Sequence, residues 1–236
     1  MNKLGIIGAM DVEVQTLKQK LQDLQITQKA GMVFFQGTLE DMPVVVVQCG
    51  VGKVNAALCV QILCDLFEVT HLVNTGVAGS LCNDLDIGDF VISQDAMYHD
   101  FTCHILNPAY CVGQVPGMDV LAFPADKMLS AYALEAAELV YPGHARLGRV
   151  ASGDQFVADK AQKERIITDT QAICTEMEGC AIAHAAWRNE IPFVIIRAIS
   201  DKADGSAHMD YPVFEAAAAE RCAMVTQELA KKLSQI

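Results

Sequence analysis

The run Phe193-Val-Ile-Ile-Arg-Ala-Ile-Ser-Asp201 leaves this chain the fewest folding options. Before Asp201 it carries one charge, on Arg197, and β-branched residues dominate its apolar positions. Such a run reads as a strand covered on both faces, the habit of parallel sheets in α/β proteins. In sheets of that kind ligands lie beyond the carboxyl ends of the strands. Ser200 and Asp201 at the end of the run, with Arg197 inside it, therefore mark either a site or a structural Arg197–Asp201 ion pair, and buried pairs of the second kind are common enough to weigh equally.

The rest of the chain repeats the pattern. Leu4–Ile7 reads as a first buried strand, and Gly8-Ala-Met10 turns into a helix from Asp11 to Leu21 with Val14, Leu17 and Leu21 on one face. Asp11 and Glu13 in its first turn suit the helix dipole, which is a sufficient reason for both. Residues 33–39 and 43–48 read as a hairpin or a tight strand connection around Glu40-Asp-Met42. Gly50-Val-Gly-Lys53 leads into a helix ending at Phe67. It is not a phosphate loop: position 47, where the first glycine belongs, is Val, and so is position 54, where a hydroxyl belongs. The dinucleotide pattern fails as well, at Asn55.

A strand at 71–74 ends in Thr75-Gly-Val-Ala-Gly79, read as a turn where a ligand presses on backbone. A strand at 86–93 and an irregular stretch from Ala96 to Asp119 follow. Long irregular stretches in compact domains are often binding loops. This one holds His99, Asp100, Cys103, His104 and Cys111, but no pair has a standard zinc spacing. Further elements are a helix at 125–139, a strand at 145–151, a helix at 158–168, a strand at 172–175 and a final helix at 213–233. Glu178 opens a helix, 179–187, that is apolar almost all round and so must be buried. A carboxylate there is costly unless it is paired or used. His184 within that helix is expected to be a core histidine.

Composition narrows the function classes. The chain has 236 residues, 52% apolar and 19% charged, with no repeats or linkers, which indicates one domain over 1–236. A net charge of −12 argues against a nucleic-acid surface. Nine scattered cysteines without a C-x-x-C pair suit a reducing cytoplasm. No apolar run is long enough to cross a bilayer, and the amino-terminal stretch does not read as a signal peptide. A soluble, cytoplasmic protein is expected.

Five strand ends thus carry polar or glycine-rich groups: Gly8–Glu13, Asn74–Gly79, Ser152–Phe156, Glu176–Glu178 and Ser200-Asp201. All are expected at one edge of one parallel sheet. They assemble three acids (Glu13, Glu178 and Asp201) with Arg197 and Phe156, and no nucleophile–base pair. At these residues the chain resembles the 5′-methylthioadenosine/S-adenosylhomocysteine nucleosidases of the nucleoside phosphorylase superfamily, over nearly its whole length. The matching stretches are Gly5–Met10 with Glu13, Gly50–Val54, Asn74–Gly79, Tyr98-His-Asp100, Ser152-Gly-Asp154, Glu176-Met-Glu178 with Ala181–His184, and Arg197–Asp201. Each is weak alone; their order and spacing together are specific.

The resemblance implies a three-layer αβα sandwich around a twisted, mostly parallel mixed sheet. It implies hydrolysis of an adenine–ribose bond with no cofactor or metal, and a homodimer. Asp201 would protonate adenine N7, Glu13 would activate water with Arg197 holding it, and Ser200 would position Asp201. Glu178 would bind the ribose hydroxyls above Met177, Phe156 would stack on adenine, and the Val157 backbone would read its edge. Met10, Val51, Pro116 and Tyr211 would line the 5′-substituent pocket, and Val77 lies beside the water and ribose. Two features depart from the family pattern: Val77 replaces a common Ser, and the loop after Asp100 differs residue by residue. In the family that loop comes partly from the neighbouring subunit, so the 5′ group is the least determined part, with 5′-deoxyadenosine or a futalosine-type nucleoside as alternatives. The rival readings are a purine nucleoside phosphorylase, whose phosphate a Glu13 carboxylate would repel, and a non-catalytic adenine-nucleoside-binding protein.

Overall fold

Every residue of Phe193–Asp201 is buried, in the last of ten strands that join one sheet (β10). A computed structural model describes residues 2–235, the side chain of Met209 apart; the ends of the expected domain 1–236 lie outside the described residues. β10 pairs in parallel with β5 (His71–Ser80), and β5 with β1 (Leu4–Gly8), which pairs in parallel with β4 (Met42–Gln48). β3 (Met32–Leu39) and β2 (Gln22–Lys29) extend this half antiparallel. On the other side, β10 runs antiparallel to β6 (Phe90–Tyr98), which pairs in parallel with β8 (Ala145–Ser152) and antiparallel with the short β7 (Phe123–Pro124). β8 pairs in parallel with β9 (Cys174–Glu176), and β9 returns to β5. The sheet therefore closes on itself through β10, β6, β8, β9 and β5, with β1, β4, β3 and β2 as an open wing.

Helices cover both faces. α1 (Asp11–Gln19), α3 (Lys127–Val140) and α6 (Ala207–Leu233) share one core, through Val14, Leu17, Leu129, Ala219 and Leu229. α2 (Lys53–Phe67) and α5 (Gly179–Arg188) share the other, through Cys59, Leu63 and Ile182. α4 (Lys160–Thr170) packs Ile166 on a smaller cluster with Leu81, Val157 and Ala203. This is the expected mixed sheet between helical layers. His184, expected in the core, is only part-buried: it stacks on Phe123 with ring centroids 4.6 Å apart, and its Nδ1 lies 3.3 Å from Tyr98 Oη.

The differences from expectation have local causes. The turn expected at Thr75–Gly79 is the second half of β5, because its neighbours continue: Arg197 lies beside Gly76 and Asp201 beside Gly79. The glycines are bare to make room for those side chains. A Cβ on Gly76 would overlap Arg197 and Glu13, and one on Gly79 would lie 2.8 Å from Asp201 Oδ1. β2 has no counterpart among the expected elements, since nearly all its side chains are exposed and no alternation marks it; pairing with β3 alone defines it. α1 ends at Gln19 and not Leu21, β6 spans 90–98 and not 86–93, and α6 begins at Ala207 in spite of Pro212.

The strand ends also meet differently. β9 and β5 run antiparallel, and the first two residues of β9 pair with the last two of β5, Gly79 with Thr175 and Ser80 with Cys174. The two strands enter this seam from opposite directions, so the site forms at a closure and not along one edge of a parallel sheet.

The wing depends on Phe34, fully buried in β3 and stacked on Phe67 of α2 at 4.8 Å. Phe34→Ala is expected to cost about 3–5 kcal/mol, measured by denaturant unfolding at fixed pH.

Candidate active site

The abutting strand ends enclose a cavity of about 260 Å³, near the lower end of the ~300–1,000 Å³ usual for small-molecule sites. Met10, Glu13, Val51, Val77, Phe156, Val157, Met177, Glu178, Ser200, Asp201 and Tyr211 all line it, as do Thr175 and Glu176. Two expected residues do not. Pro116 is exposed on the loop before β7 and contributes nothing to this chain's own cavity. Arg197 stands behind the wall, 1% exposed.

Glu13 sits in the first turn of α1, where helix N–H groups lack partners. Its Oε2 accepts from the Ala9 and Met10 N–H groups at 2.7 and 3.0 Å, and its Oε1 from Val77 N at 3.1 Å. The dipole role is real, but the carboxylate also faces the cavity. Asp11, two residues earlier, points out and pairs with Lys18 at 2.6 Å. Burial pushes the Glu13 pKa up, opposed by Arg197 and these N–H groups.

Asp201 ends β10 with its carboxyl oriented on both sides. Ser200 Oγ donates to Oδ2 at 2.9 Å, and Ala203 N donates to Oδ1 at 2.8 Å. Burial raises its pKa against both hydrogen bonds. The Arg197–Asp201 ion pair weighed from sequence does not form. Arg197 donates from Nη2 to Asn74 Oδ1 and Glu176 Oε2, and its Nε finds no partner among the described residues. Burial works against the guanidinium charge, but Glu176, Glu13 and Glu178 hold it well above the ordinary range.

Glu176 is the residue the sequence reading left without a role. It accepts from Ser152 Oγ, from Arg197, and from the Glu178 and Gly179 N–H groups at 3.1 and 2.7 Å. It thus ties β8, β10 and the start of α5 together. The available signal was charge balance: several acids converge on the one arginine of a buried strand. Glu178 itself accepts from Gly52 N at 2.8 Å. Burial and then the Glu176 charge push its pKa up to about 8.

At the outer end Phe156 is half-exposed and meets Tyr211 edge-on, with centroids 5.6 Å apart. Tyr211 Oη lies 3.2 Å from Met10 Sδ and donates to Glu215 at 2.8 Å. The start of α6 at Ala207 brings Tyr211 into the wall. Of the loop groups weighed for zinc, Asp100 binds Lys53 and His104 pairs with Thr102.

A closed mixed sheet with carboxylates at its abutting strand ends defines a protein of the phosphorylase superfamily, whose sequence model matches residues 3–231. A 5′-methylthioadenosine/S-adenosylhomocysteine nucleosidase of Staphylococcus carnosus is 38% identical over 231 residues, covering 98% of this chain and all of that protein. The solved nucleosidase of the same description from S. pneumoniae, bound to a transition-state inhibitor, superposes with a TM-score of 0.92 at 36% identity, covering 98% and 99% of the two chains. A futalosine hydrolase from Helicobacter pylori also superposes at 0.92, with 29% identity over 98% of each chain. The chain belongs to the 5′-methylthioadenosine/S-adenosylhomocysteine nucleosidase family.

The raised pKa of Glu178 has a consequence for stability. Its folded value of about 8 lies above the ordinary 4.5, so its contribution is complete below about pH 4.5 and is lost as pH rises toward 8. Glu178→Gln keeps the acceptor without the charge. In ligand-free protein its melting temperature is expected to gain on the wild type between pH 5 and pH 8, by roughly 2–4 °C per kcal/mol, and to stop gaining above pH 8. Calorimetry across that range checks this.

Proposed function

We propose that this chain hydrolyses the N-glycosidic bond of 5′-methylthioadenosine and S-adenosylhomocysteine, releasing adenine and the 5-substituted ribose. The carrying observation is the pair of buried carboxyls, Glu13 and Asp201, both raised in pKa and both facing one cavity. Adenine leaves poorly until N7 is protonated. A carboxyl whose pKa burial raises, with Ser200 and Ala203 fixing its direction, is the acid for that step. As the bond breaks the sugar becomes oxocarbenium-like, as in other glycoside hydrolyses. Glu13 retains lone pairs beyond its three backbone bonds and takes the proton of the attacking water. Arg197 serves this step from behind, through Glu176 and its field on Glu13. Glu178 takes the ribose hydroxyls with Met177 beneath, Phe156 and the Val157 backbone take adenine, and Met10, Val51 and Tyr211 take the 5′ group.

Hydrolysis is favoured over phosphorolysis by the wall itself. Where phosphate would need donors, the cavity presents the Glu13 carboxylate and the apolar Val77 side chain. The molecule is further proposed to act as a homodimer in the cytoplasm. Val51, which lines the cavity, and Val54 and Leu58 in the first turns of α2 are exposed apolar residues, as are Ile105 and Leu106 of the loop, and such surface suits a partner. A second copy on that surface would bring its own loop, Pro116 included, over the 5′ pocket. All nine cysteines are free, which suits a reducing compartment.

Purified protein incubated with 5′-methylthioadenosine is expected to release adenine and free methylthioribose at the same rate with and without phosphate. Adenine appearing only with phosphate would sink the hydrolase reading. Asp201→Asn is expected to lose about 10²–10⁴-fold in kcat while still binding substrate. Activity should fall as pH rises through the raised Asp201 pKa and as it falls through that of Glu13, giving a bell-shaped kcat/KM profile.

A further inference from the structure

Gly50-Val-Gly-Lys53 is not a phosphate loop, yet its lysine is tied down more firmly than a surface residue needs to be. α2 begins at Lys53 behind Gly52, which has no side chain to cap the helix. Two carboxylates from distant segments fill the vacant positions. Glu178 Oε1 takes the Gly52 N–H at 2.8 Å, and Asp154 Oδ1 takes the Lys53 N–H at 2.8 Å.

The Lys53 ammonium then reaches both Asp100 oxygens at 2.7 Å and lies 3.6 Å from Asp154 Oδ2. Asp100 Oδ2 also accepts from Asp154 N at 2.9 Å. One ammonium therefore joins the start of α2 to the segments that follow β6 and β8. The fit leaves little slack. Gly52 has φ +97°, a Cβ there would meet Asp154 Oδ1 at 3.1 Å, and a Cβ on Gly153 would meet Asp100 Cγ at 2.9 Å. The Lys53 and Asp100 side chains are only 23% and 14% exposed, so solvent screens their pair less than a surface one.

We propose that Lys53 is a positioning residue for ribose recognition: through Asp100 and Asp154 it holds the Gly50–Gly52 turn so that the Gly52 N–H fixes the Glu178 carboxylate. The inference rests on the reading that Glu178 binds the ribose hydroxyls. Without this clamp, a turn with two positive-φ glycines has many conformations available. The Gly52 N–H then no longer points one way, and Glu178 loses the partner that selects its rotamer.

The test compares 5′-methylthioadenosine with its 2′,3′-dideoxy analogue, each rate taken relative to wild type. Lys53→Met is expected to lower kcat/KM on the ribonucleoside by about tenfold or more, the scale of a displaced binding group, and to change the dideoxy analogue by less than about twofold. Lys53→Arg is expected to restore the preference to within about threefold of wild type. Asp100→Asn, which keeps side-chain volume, should reproduce the Lys53→Met pattern, and it covers the case in which Lys53→Met does not fold. Equal losses on both substrates, or no loss on either, would overturn the proposal. Glu178→Gln separates the two levels. If it abolishes the preference while Lys53→Met and Asp100→Asn preserve it, only the inference falls. If Glu178→Gln itself leaves the preference intact, the ribose reading of Glu178 falls and the inference with it.

Discussion

The Arg197 guanidinium is fully desolvated, and the site depends on how that charge is compensated. An isolated buried cation is prohibitively costly, and removing one partner of such a pair costs about 3–5 kcal/mol. Here Glu176 and Asn74 bind it directly, while Glu13 and Glu178 lie within its field. The same carboxylates also satisfy the orphan N–H groups at the starts of α1, α2 and α5. Charge compensation and helix capping are thus carried by one set of atoms. These side chains have little freedom to move, which is the preorganisation through which electrostatics would lower a barrier in the proposed reaction.

The closure of the sheet gives this network its location. Had β5 ended at Asn74, Gly76 and Gly79 would lie in a loop and Arg197 would have no flat strand beside it. Because β5 runs on to Ser80, its bare glycines leave corridors for the Arg197, Glu13 and Asp201 side chains. The two-residue overlap with β9 brings Thr175, Glu176, Met177 and Glu178 to the same place. A two-residue seam between strands is a weak piece of sheet, and Glu176 reinforces it by linking β8, β10 and α5.

The cavity wall shows how a phosphorylase-type fold serves a hydrolase. A nucleoside phosphorylase needs a seat for a dianion beside the anomeric carbon. In the proposed reading that place holds the Glu13 carboxylate and the Val77 side chain, and the Arg197 guanidinium is engaged behind the wall. Water is the nucleophile such a wall admits. The half-exposed Phe156 and the part-buried Tyr211 stand at the outer end of the cavity.

Much of this was legible in the residues. The buried β10 run, the acid at its end, the glycine-flanked strand ends and the apolar helix opened by Glu178 all follow from hydrophobic pattern and the cost of burying charge. Local chemistry decided them, so the sequence alone determined the α/β class and most of the cavity-lining residues. What it could not decide was partnership. β2 has no apolar alternation and exists only by pairing with β3. Thr75–Gly79 has turn composition but lies in a strand because β10 and β9 flank it. Arg197 could have paired with Asp201, four residues on; the tertiary structure pairs it with Glu176, from another strand. Pro116 belongs to a loop that this chain does not fold over its own cavity. Pairing energies come from atoms brought together across long chain separations. A local pattern records which groups must be compensated, and only the folded arrangement settles by which.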